Sequence, residues 1–133
     1  MVIQTANQAY QKNKFDTASP GELTLMLYNG CLKFIKLSKE AISNNQVETR
    51  NVNLIKAQNV IRELMVTLKV ETEVGKNMLQ MYDYILHHLT EANINNDIKA
   101  LEEAEQYVIQ FRDTWKEVIM INRKRQHGGG GRA

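Results

Sequence analysis

Only one proline, Pro20, occurs in the 133 residues. Everything after it can run as uninterrupted helix, because no later residue lacks an amide proton or clashes with the carbonyl one turn back. Long helices in water must bury an apolar stripe, and this sequence carries such stripes four times. Ser19-Pro20-Gly21-Glu22 sets a capping serine, a proline at the first helical position and a glutamate three residues after the serine. The first helix therefore spans 20–44, where Ser43-Asn44-Asn45 breaks it, and Asn45 with Glu48 offers a weaker cap for a second helix over 46–68. That second helix has a heptad-like seam of Leu54, Ala57, Ile61, Leu64 and Leu68. A third helix over 73–94 carries Met78, Tyr82, Ile85, Leu89 and Ala92, and Asn95-Asn96-Asp97 reads as a turn and cap. The fourth, over 98–123, has the most regular seam: Leu101, Ala104, Val108, Phe111, Trp115 and Val118, spaced 3-4-3-4-3.

Helices joined by links of a few residues pack antiparallel as neighbours, so the expected fold is all-α, an antiparallel four-helix up-and-down bundle. There is no internal repeat and no alternating strand pattern. Residues 1–16 are mostly polar, with Ile3, Ala6 and Tyr10 at roughly helical spacing, and are expected to form a short mobile arm or cap helix. The helical domain takes in residues 1–127, and the glycines from Gly128 to Gly131 place a flexible tail over 128–133.

Several function classes fall away on composition. With Lys+Arg 17 against Asp+Glu 15 the chain has no broad positive field for nucleic acid or an anionic membrane. No stretch approaches the ~20 apolar residues that span a bilayer. The start, Met1-Val2-Ile3-Gln4-Thr5, lacks the basic and apolar segments of a secretory signal, and the single Cys31 cannot form an internal bridge. The expected location is the cytoplasm.

The chemical constellations are equally thin. Asp83, His87 and the adjacent His88 invite a metal reading, but a di-iron bundle needs paired Glu-x-x-His motifs and none occurs. Cys31 sits among apolar neighbours without an activating base, so it reads as a buried, inert thiol. His127 has no partner at ligand spacing. Arg123-Lys124-Arg125 closes the last helix, where cations favour the helix dipole, and reads as a solvated helix end. No phosphate-cradling glycine loop is present, since the four glycines follow a helix and precede nothing. The chain is expected to be no enzyme and to take no cofactor, metal or small-molecule substrate.

The apolar residues exceed what four seams require. In the first helix Leu23, Leu27, Phe34 and Leu37 make one face and Leu25, Tyr28, Leu32 and Ile35 a second, with Met26 between them. The second helix adds Ile55, Val60 and Met65, and the fourth Ile109, Ile119 and Ile121. Two explanations stand level on periodicity alone. Central packing consumes the excess, or a persistent groove accepts a partner's helix, for which the six methionines would suit an adaptable surface. A homodimer through the same faces, or a metal-dependent bundle enzyme, are the other classes to separate.

Ala9-Tyr10, Thr17-Ala18-Ser19-Pro20-Gly21-Glu22-Leu23 and Met26-Leu27-Tyr28-Asn29-Gly30 resemble the flagellar secretion chaperone FliS family, the cytosolic export chaperones of flagellin. Met81-Tyr82-Asp83-Tyr84, Leu89-x-x-Ala92-Asn93 and Phe111-Arg112-Asp113-x-Trp115-Lys116 look similar to its bacillus-type members. The resemblance runs over essentially the whole chain, and its Thr17–Gly30 portion is the most specific. It implies a bundle around whose outside the C-terminal region of flagellin wraps, a region disordered in the monomer and helical in the filament. Premature polymerisation is thereby blocked and the subunit delivered to the flagellar type III export apparatus, whose gate protein FlhA recognises the loaded chaperone. From the family pattern Tyr10 is the candidate for the export-gate contact, or for capping the groove. For flagellin binding the off-seam residues Leu25, Tyr28, Ile55, Met65 and Ile109 are the candidates. Ser19, Pro20, Gly21 and Gly30 read as structural, a helix start followed by a close helix crossing.

Overall fold

The computed structural model describes residues 20–132, with side chains described for 21–125. The arm, Tyr10 and the capping Ser19 lie outside the described residues. Four helices follow one another, α1 (Pro20–Ser43), α2 (Val47–Val66), α3 (Glu73–Asn95) and α4 (Ile98–Arg132), with no strand among the described residues. The main packing pairs are α1 with α2, α2 with α3, α3 with α4, and α4 back onto α1. That ring of neighbours is the up-and-down bundle expected from short links.

The turns are made by local chemistry. Asn45 adopts φ 56° and Asn96 φ 53°, left-handed conformations that asparagine tolerates, and each ends a helix. After α1 the amide of Gln46 donates to the Ala41 carbonyl at 2.8 Å. After α3 the amide of Asp97 donates to Ala92 at 3.2 Å, and the Asp97 carboxylate accepts from the amides of Lys99 (3.1 Å) and Ala100 (3.2 Å), capping α4. The Asn45/Glu48 cap proposed for α2 does not form: Gln46 occupies the cap position and makes no side-chain cap bond. At α3, Thr72 Oγ1 accepts from the Gly75 amide at 2.9 Å. A Cβ on Gly75 would overlap the Lys69 carbonyl, so only glycine lets the α2–α3 link fold this tightly onto the helix.

The core follows the expected seams of α2 to α4, with Leu54, Ala57, Ile61 and Leu64 facing Ile85, Leu89, Leu101, Ala104 and Val108, all fully buried. α1 departs from expectation. Its buried positions are Tyr28, Cys31, Ile35, Ser38 and Ala41, so the second of the two apolar faces is the core face. Ser38 lies on that seam without looking like core, whereas Cys31 is buried there as its apolar neighbours imply. Ser38 is tolerated because its hydroxyl donates to the Phe34 carbonyl at 2.8 Å, one turn back.

Two structural readings are corrected. Nothing lies within 4 Å of a Cβ built on Gly30, so no close helix crossing explains that glycine, and at Gly21 a Cβ would meet Ile119 Cγ1 at an ordinary 3.6 Å. The tail expected from Gly128 is instead the end of α4, which runs to Arg132. Backbone bonds propagate from an existing helix without side-chain packing, although each glycine weakens it by about 0.5–1 kcal/mol against alanine.

Candidate client groove

With 24 residues in α1 and 23 in α3, the helices it packs against, and 35 in α4, at ~1.5 Å per residue, the fourth helix outlasts both neighbours. Its seam therefore continues past the closed core. Leu101 and Val108 are fully buried, Phe111 and Trp115 are partly buried against the core, and Val118 is 37% exposed. The same periodicity that makes core at one end makes accessible apolar surface at the other.

That surface is concave. A groove of about 740 Å³ opens between the start of α1 (Gly21, Leu23, Tyr28), the α2–α3 link with the start of α3 (Leu68, Met78, Tyr82), and the outer half of α4 (Phe111, Trp115, Val118). Its walls are mainly apolar, and Thr24, Thr67, Lys69, Thr72 and Thr114 supply polar points among them. Trp115 ties two walls together by donating its indole N–H to the Gly21 carbonyl at 2.7 Å, and Arg123 reaches Glu22 at 2.7 Å across the same junction. The latter pair is well exposed and adds little to stability.

The floor is aromatic. Phe111 stacks on Tyr28 (centroids 6.2 Å, 15°) and meets Tyr82 edge-on (5.8 Å, 64°), while the two tyrosine hydroxyls lie 2.6 Å apart. Burial pushes both phenols above their ordinary range, so both keep their protons at neutral pH.

Of the five residues proposed for client binding, only Tyr28 lines this groove, and it does so from the core seam rather than from an off-seam position. Leu25 and Ile109 are half-buried on α1 and α4, Met65 packs on the core from α2, and Ile55 is 43% exposed on α2. These four are not brought into the groove. The groove residues missed by sequence reasoning (Leu68, Met78, Phe111, Trp115 and Val118) had been assigned to seams, and the available signal was the greater length of the fourth seam.

The other chemical candidates resolve into structure. Cys31 is buried with its thiol pushed up to about 12 by desolvation, an inert group. His88 bridges α3 and α4 through Glu103 at 3.1 Å, while Tyr84 donates to the same carboxylate at 2.9 Å. Among the described residues no three His, Cys, Asp or Glu side chains gather as a metal site. No helix among them is long and apolar enough to cross a membrane.

Comparison with known proteins bears on this arrangement. A family model described as the flagellar protein FliS matches residues 2–122. The chain is 55% identical over 131 residues to the flagellar secretion chaperone FliS of Bacillus subtilis, covering 98% of each. It is 33% identical over 107 residues to that of Escherichia coli, covering 78% of this chain and 79% of the relative. A crystal structure of a bacterial flagellar chaperone superposes with a TM-score of 0.71 at 18% identity, over 88% of this chain and 97% of the other, a likeness of fold.

Proposed function

The chain belongs to the FliS family of flagellar proteins, and from that premise we propose that it is a cytosolic export chaperone that binds the C-terminal region of flagellin. By holding that region it prevents premature polymerisation, and it then delivers the subunit to the flagellar type III export apparatus. The observation that carries this reading is the apolar groove of about 740 Å³ at the open end of the bundle. A polymerising segment is amphipathic, and its apolar face must be covered until export; a concave apolar surface on a rigid bundle covers it without chemistry. The segment's cost of ordering keeps the affinity moderate for the area buried, which suits a cargo that must later be released.

The groove would hold one stretch of the client, with Tyr28 in its floor. Leu25, Ile55, Met65 and Ile109 are proposed contacts for stretches that wrap around the outside of the bundle. Tyr10, in the arm, is proposed to contact the export-gate protein FlhA or to cap the groove. Isothermal calorimetry with flagellin from the same organism tests the central claim. Full-length flagellin should bind and flagellin lacking its C-terminal segment should not; equal affinity for the two overturns the reading.

A further inference from the structure

The first two turns of α1 form one wall of the groove, yet burial fixes them only weakly. None of residues 21–27 is fully buried, and the first core side chain of the helix is Tyr28. Gly21, Leu23 and Thr24 from these turns line the groove, and the α2–α3 link supplies another of its walls. A shift of the two turns therefore changes the width of the groove. One face of α4 meets them from the side, where Trp115, Ile119 and Arg123 follow at four-residue spacing. Trp115 donates its indole N–H to the Gly21 carbonyl at 2.7 Å, and Arg123 pairs with Glu22 at 2.7 Å. Ile119 lies between them, at 3.6 Å from the place a Gly21 Cβ would take.

The three contacts are unequal. The Arg123–Glu22 pair is open to water, which screens it. The Ile119 contact is apolar and sets no direction. The Trp115 bond is short, directional and partly buried. An indole N–H can donate but not accept, and a helix carbonyl keeps a second lone pair with which to receive it. Trp115 also packs against the core cluster, so the donor stands on a fixed support. A binding surface already held in its bound geometry has less ordering to lose on association.

We propose that Trp115 is a positioning residue for client binding, which through the Gly21 carbonyl holds the first two turns of α1 at the spacing a flagellin segment requires. Turns at a helix end open with free energies near zero. A hydrogen bond worth a factor of about five therefore decides how often the wall is in place. The apparent affinity scales with that fraction. This inference rests on the reading that the groove holds a flagellin segment, and its test is arranged to fail separately from that reading.

The full chain has one tryptophan, so replacing tryptophan by β-(3-benzothienyl)alanine, in which sulfur takes the place of the N–H, alters this site alone and keeps both rings. Hydrogen exchange of the free protein should quicken about threefold to fivefold at the amides of residues 24–28. Exchange across residues 54–64 of α2, which carry much of the core, should not change. Flagellin affinity, read by calorimetry, should fall about threefold to fivefold. Arg123→Gln cuts only the exposed pair and should move both readouts by less than about twofold. Should the analogue protein fold poorly, Trp115→Phe carries the same comparison, with residues 54–64 as its internal control. Wild-type affinity in the analogue protein overturns the proposal and leaves the chaperone reading standing. So does unchanged exchange at residues 24–28, exchange quickened equally through α2, or an equal loss of affinity in Arg123→Gln. Absence of any wild-type binding overturns both.

Discussion

At the end of the bundle where α1 turns into α2 and α3 into α4, polar side chains close what the helices leave open. Arg50 donates to Asn93 at 3.3 Å and to Asn96 at 2.8 Å, and Asn93 in turn donates to Asn51 at 2.7 Å. Two hollows remain at this end, one of about 60 Å³ beside Arg50 and one of about 320 Å³ beside Asp97 and Glu103, the latter lined mostly by polar side chains. At the opposite end, where α1 starts and the α2–α3 link passes, the hollow is about 740 Å³ and lined mainly by apolar side chains. The seam of α4 passes through both regions with the same spacing. What changes is how far the seam is covered: Leu101 is fully buried, whereas Val118 is 37% exposed. A binding surface of this kind is a core pattern continued beyond the elements that would bury it, and its residues are chemically indistinguishable from core.

That contrast can be broken by substitution, and the largest effect belongs to the closed end. Leu101→Ala should cost about 2–5 kcal/mol, the range for deleting a fully buried leucine, and this is read as a lowered urea midpoint. A loss below 1 kcal/mol would mean that the core is looser than its burial implies. Gly75→Ala comes next, at about 1–3 kcal/mol, because the added methyl meets the Lys69 carbonyl and forces the link to move. Since Lys69, Thr72 and Gly75 all line the groove, flagellin affinity should fall in the same variant even at temperatures where it is fully folded. Val118→Ala sharpens the comparison from the open end. It should change free-chain stability by less than about 0.5 kcal/mol, as for an exposed residue, yet weaken flagellin binding about fivefold through the lost apolar contact. Equal stability losses for Val118→Ala and Leu101→Ala would erase the distinction between the two ends.

Much of the bundle was legible because its signals are local and periodic. The turn asparagines, the Asp97 cap and the buried seams of α2 to α4 lie where spacing and cap chemistry put them. Errors arose where a residue's role depends on what lies across from it. Tyr28 looked surplus on α1 because Ser38, which continues its seam, is polar and gives no apolar signal. Its place in the floor of a groove depends on Tyr82 and Phe111, which are far away in the chain. Gly30 suggested a crossing that is absent, while the steric need at Gly75 went unnoticed because the obstructing carbonyl belongs to a residue folded back by the turn.

By itself the sequence determined four helices, their order and their antiparallel ring, since helix periodicity and short links leave few other ways to bury the stripes. It also carried the Thr17–Gly30 segment by which the family resemblance was seen. The tertiary structure decided which apolar residues are core and which form the groove. That division follows from helix lengths and from the path of the α2–α3 link, so identical side chains at equivalent seam positions are buried at one end and accessible at the other. The pairing of two phenols across α1 and α3 likewise exists only once the helices are side by side.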